Sequence, residues 1–155
     1  HGRDRRQRQM CIRDRLNKLS ARAKACVLEI SKQAYLQREQ LQILGFGHGN
    51  VQQILGNMRA PKALRERLNS VQISGGTPLR AALQQAQKVI SKVHRQHPLS
   101  VRCYLITDGR SKAQVADLNV NVPTVLIDTE SGPIKRGRGV AIAQQLHAGY
   151  YALQP

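Results

Sequence analysis

A chain of 155 residues with 41% hydrophobic side chains and a mean hydropathy of −0.44 is long enough for one domain with a proper core. No apolar run approaches the roughly 18 residues a membrane span needs, which excludes a spanning helix. The balance of 25 Lys and Arg against 9 Asp and Glu gives a net charge of +16, which raises the question of an acidic partner without answering it.

Residues 1–15, HGRDRRQRQMCIRDR, hold six Arg and two Asp, show no periodicity and lack the apolar core of a secretion signal. They read as a disordered basic arm of non-native origin, and the MCIRDR string resembles translated sequencing-adapter sequence. The credible domain is therefore residues 16–155. From Leu16 to about Arg38, Leu19, Ala23, Cys26, Val27, Ile30 and Ala34 recur at helical spacing on one face. Two short apolar runs, 41–47 and 51–55, flank Gly47-His48-Gly49-Asn50 and predict strand, turn, strand. Pro61 is placed to open a short polar helix over 61–69.

The best helical pattern begins at Pro78. Thr77 suits its N-cap and Pro78 its first position. Leu79, Ala82, Leu83, Ala86, Val89, Ile90 and Val93 form the stripe, and Pro98 ends it by His97. Val101 to Thr107 predicts a strand buried on both faces. A short helix over 113–118, a strand over 122–127 and a last helix over 140–153 follow. Strands alternating with helices at this spacing imply an α/β fold with a largely parallel sheet, which binds ligands beyond the carboxyl ends of its strands.

Two segments carry oxygen ligands to such ends. Ser74-Gly75-Gly76-Thr77-Pro78-Leu79 enters the long helix, and Leu105-Ile106-Thr107-Asp108-Gly109-Arg110 leaves the buried strand. A hydroxyl and a carboxylate suit a hard divalent cation such as Mg²⁺, with Gly75 and Gly76 allowing close backbone approach and Gly109 the sharp exit. Each segment also has a plain structural reading, Thr77 as a helix cap and Asp108-Gly109 as a turn. Cys11, Cys26 and Cys103 lack the spacing of a zinc or redox pair, and Cys26 on a helix face and Cys103 in a strand read as buried free thiols. His94 and His97 read as a solvated helix end rather than a metal site. The default compartment is the cytoplasm.

Taken together, LQREQLQILGFGHGNVQQIL, SGGTPLRAALQQA, LITDGR, VLIDTESG and the closing GYYAL resemble the von Willebrand factor A (VWA) domain at the carboxyl end of the D-type subunit of magnesium chelatases and their cobalt-chelatase-like relatives. The resemblance implies a Rossmann-like sheet with helices on both faces and a non-catalytic linking role. The expected partners are the AAA+ subunit that drives metal insertion and the large tetrapyrrole-binding subunit. It also implies that Thr77 and Asp108 help hold a Mg²⁺ able to accept a partner's carboxylate, with no nucleotide site in this segment.

The departure lies upstream. The family's D-x-S-x-S strand should precede the first helix, yet Asp14 is the sole acid after the short apolar run there and no serine follows it at either position. The sequence thus predicts a sheet lacking its central first strand, with Mg²⁺ binding weak or lost and folding marginal. An enzyme alternative reads Gly45-Phe46-Gly47-His48-Gly49-Asn50 as a dinucleotide fingerprint for NAD, with Glu66 near the required distance, although the third Gly is absent. A basic nucleic-acid-binding module is the other alternative. An aromatic content of 3% leaves few stacking platforms and argues against it.

Overall fold

The computed structural model describes residues 8–14, 21–47, 50–58, 64, 79–96, 101–109, 112–130 and 137–153. In chain order the elements are β1 (Arg8–Asp14), α1 (Ala21–Leu36), β2 (Gln40–Gly47), β3 (Asn50–Met58), α2 (Leu79–Gln96), β4 (Val101–Thr107), β5 (Thr124–Asp128), α3 (Arg138–Leu146) and β6 (Gly149–Ala152). They build one six-stranded sheet of order β3-β2-β1-β4-β5-β6, parallel except for β3, which returns antiparallel from β2.

The alternation of side chains along β4 and β5 explains why helices lie on both faces. Leu105 and Leu126 point to one side and join Leu79, Leu83, Ala86 and Ile90 of α2 and Ile142 and Ala143 of α3 in one core. Their chain neighbours Ile106 and Ile127 point to the other side. There they meet Ala23, Val27 and Ala34 of α1 together with Ile43 and Leu64. Ser31, the polar member of α1's buried stripe, donates its hydroxyl to Leu28 O at 2.9 Å and so enters the core with its hydrogen bond made.

Three expectations need correction. The central strand is present: β1 lies between β2 and β4, parallel to both, with Arg8–Arg13 opposite Val101–Ile106 and Arg8–Asp14 opposite Gln40–Phe46. Composition favours disorder for residues 8–14. However, two neighbouring parallel strands present unpaired backbone edges there, and each buried unpaired group costs about 1–3 kcal/mol, so ladder formation outweighs local propensity. Residues 113–118 are irregular with a single turn at 116–117, not a helix. The segment is tied down through Arg80, which grips Asp117 with its two terminal guanidinium nitrogens at 2.7 and 2.5 Å, and through Gln87, which donates to Asn119 O at 2.5 Å.

The last helix does not run to Leu153. His147 adopts a left-handed conformation (φ 53°), and Ala148 N donates to Ala143 O at 2.9 Å, a closing turn after which β6 extends the sheet beside β5. The helix read over 61–69 lies outside the described residues except for Leu64, which is buried. No helix among the described residues is long and apolar enough to cross a membrane. Cys103 is a buried free thiol, pushed up to about 12 by burial, whereas Cys26, expected to be buried, is only half-buried.

Candidate functional site

Three adjacent strands of the sheet end in the same way. An apolar stretch leads to an aspartate, through one polar residue in Cys11-Ile12-Arg13-Asp14 and Leu105-Ile106-Thr107-Asp108 and directly in Val125-Leu126-Ile127-Asp128. Register aligns them: Thr107 lies opposite Asp128, and Asp14 follows the Arg13–Ile106 pair. The carboxyl ends of β1, β4 and β5 therefore bring three acidic positions to one edge, where parallel sheets take ligands. Sequence reading found Asp108 and placed Asp14 in an arm. The repeated apolar-to-Asp pattern was the available signal.

Asp108 is buried, with 8% of its surface exposed, directly after β4. The loop behind it is rigid for local reasons. Thr107 Oγ1 accepts a hydrogen bond from Gly109 N at 3.1 Å, and Thr107 O accepts one from Thr129 N at 3.0 Å, which extends the β4–β5 pairing past the strand end. Gly109 turns with φ 75°, and a Cβ there would lie 2.8 Å from the Gly139 backbone N. Glycine is required at 109 by both the backbone angle and the approach of α3.

Asp128 anchors the other side of this corner. Its Oδ1 accepts from Glu130 N at 2.8 Å and its Oδ2 accepts from the Tyr150 hydroxyl at 2.6 Å. The adjacent carboxylate raises the Tyr150 phenol to about 12, because the bond and the nearby negative charge both oppose losing the proton. A Cβ at Gly139 would run into Asp128 Oδ2 and stand 2.9 Å from its Cγ. Both oxygens of Asp128 thus serve the fold, joining β5, β6 and the first turn of α3.

Of the residues expected to form a site, Asp108 and Gly109 stand together at this edge, whereas Gly75, Gly76 and Thr77 lie outside the described residues. No group of three or more His, Cys, Asp or Glu able to hold a metal occurs among the described residues. Leu16 and Lys18 occupy the two positions at which a D-x-S-x-S pattern beginning at Asp14 would carry hydroxyls. A hydrocarbon and an ammonium supply no oxygen, and Asp128 has both oxygens committed. The donor set therefore fits a divalent cation poorly. The dinucleotide reading fails on the backbone: Gly45, Phe46 and Gly47 are paired inside β2 with Gln52, Val51 and Asn50, and a strand follows where the fingerprint needs a helix.

Comparison with known proteins agrees with this architecture. Residues 9–110 match the family model described as von Willebrand factor type A domain. The chain is 23% identical over 156 aligned residues to the magnesium-chelatase 67 kDa subunit of Chlorobaculum tepidum, an alignment that takes in 84% of this chain and 25% of that one. It therefore spans about a quarter of the length of that relative. Among solved structures, manganese-loaded Plasmodium vivax TRAP protein superposes with a TM-score of 0.70 at 14% identity, covering 96% of this chain and 69% of that one. The SpRpn10 VWA domain superposes at 0.66 and 11%, covering 97% and 88%.

Proposed function

The chain belongs to the von Willebrand factor type A domain family, and from that premise we propose that it is a non-catalytic interaction module of an ATP-dependent chelatase. The substrates of that complex would be Mg²⁺ or Co²⁺ and a tetrapyrrole. The likeness to a magnesium-chelatase subunit over 84% of the chain is the observation that carries the reading. The rigid corner of Thr107, Asp108, Gly109 and Gly139 supports it, because a preformed surface loses little entropy on docking. Its partners are then the AAA+ subunit and the large tetrapyrrole-binding subunit, met at the edge that carries Asp108. The complex would work in the cytoplasm, a compartment in keeping with the free thiol at Cys103.

A bound Mg²⁺ would supply an open coordination position for a partner's carboxylate, with Asp108, and Thr77 if its hydroxyl reaches the edge, as the protein's ligands. Since Leu16 and Lys18 offer no oxygen, Mg²⁺ binding is weak or lost, and docking rests on the protein surface itself. Capture of purified AAA+ and large chelatase subunits by the immobilised chain tests the role. Asp108→Asn should reduce capture while leaving the far-ultraviolet circular dichroism unchanged, and equal capture by both proteins would refute docking at this edge. Titration with Mg²⁺ in a calorimeter tests the metal. A micromolar constant would show that the remaining ligands suffice.

A further inference from the structure

The outer face of α2 lies away from the edge of Asp108, and its charge is unbalanced. The helix has four cationic residues in eighteen, Arg80, Lys88, Lys92 and Arg95, with no Asp or Glu and no Phe, Tyr or Trp. Arg80 is neutralised by Asp117. Lys88, Lys92 and Arg95 are exposed, and among the described residues no carboxylate pairs with them. Their spacing of four and three residues sets them on one strip, rising about 1.5 Å per residue along the axis. An open groove of about 640 Å³ runs along this strip, lined by Gln84, Gln87, Lys88, Ser91 and Arg95.

Nothing in folding asks for this arrangement. Like charges at such spacings weaken a helix, and only Arg95, in the last turn, gains from the helix dipole. Three ammonium or guanidinium groups interleaved with amide and hydroxyl donors form a surface rich in donors and without a carboxylate. We propose that this face of α2 docks an acidic protein segment, whose carboxylates pair with Lys88, Lys92 and Arg95 while Gln84 and Ser91 hydrogen-bond its backbone. The absence of any aromatic residue from the helix removes the stacking platform that a single nucleic-acid strand would use.

The test is fluorescence anisotropy of the full chain with a fluorescein-labelled poly-glutamate peptide, and in parallel with a labelled oligothymidine, in a buffer containing EDTA so that no metal contributes. Lys88→Gln/Lys92→Gln should weaken peptide binding about tenfold, the size of two exposed ion pairs near the middle of their range. The charge-matched Lys24→Gln/Lys32→Gln, on α1 across the sheet, should change it about twofold or less. Equal losses in the two variants would reduce the effect to bulk charge and overturn the proposal. So would undetectable peptide binding, or tighter oligothymidine binding that is lost at the same two residues.

Discussion

At the scale of single residues, the corner built on Asp128 sets the sharpest constraints. Asp128 cannot swing away from a new methyl group, since both of its oxygens are held. Gly139→Ala should therefore cost roughly 1–3 kcal/mol through overpacking. The expected readout is a thermal midpoint lower by several degrees. Tyr150→Phe deletes a hydrogen bond to a carboxylate, and because the ring is 42% exposed the loss should be nearer about 1 kcal/mol than the full value for a buried charged pair.

The same bond gives a signed pH effect. The phenol's pKa is raised from 10.0 to about 12 in the folded chain. The stabilisation is therefore complete below about pH 10 and lost as pH rises toward 12. Denaturant midpoints should fall across that window in the native chain and fall less in Tyr150→Phe; equal falls would remove Tyr150 from the account. Asp108 was legible in sequence because the turn glycine follows it directly. The pairing of Asp128 with Tyr150 was not, because it joins residues 22 positions apart.

At the scale of elements, interior and edge strands should differ in protection. Every amide of an interior parallel strand faces one neighbour or the other, so β1 amides should exchange among the slowest, and those of β6, paired only with β5, among the faster. Fast exchange throughout Arg8–Asp14 would contradict the central placement of β1. The 112–120 segment, which replaced an expected helix, should loosen in Asp117→Asn. Arg80 holds the Asp117 carboxyl down to about 2, so its contribution is present above about pH 4 and fades as pH falls toward 2. Proteolysis within this segment should follow that profile.

Helices α1 and α2 and strand β4 were readable because burial of one face, or of both, imposes a period on the sequence. The ends of α3 and the start of β6 were not. Tyr150 and Tyr151 continue no stripe, and the helix stops on the backbone angle of His147.

At the scale of the whole molecule, the parallel α/β architecture followed from the alternation of elements. The completeness of its sheet did not, because the chemistry that orders β1 lies in the edges of β2 and β4. Removing residues 1–14 should abolish the cooperative thermal transition rather than leave it intact, as loss of a disordered arm would. A truncated chain melting at the native temperature would refute the central role of β1.

The position of β1 also bears on the time course of folding. β1 precedes the other described strands in the chain, yet one of its two neighbours, β4, begins at Val101, so 93 residues separate Arg8 from its partner and must be made before that edge is covered. Contacts this distant in sequence slow folding, and until they form a half-paired strand stays open to association with other chains. Early pairing of β1 with β2, whose partners lie 32 residues apart at Arg8 and Gln40, would close one edge of the strand long before β4 closes the other.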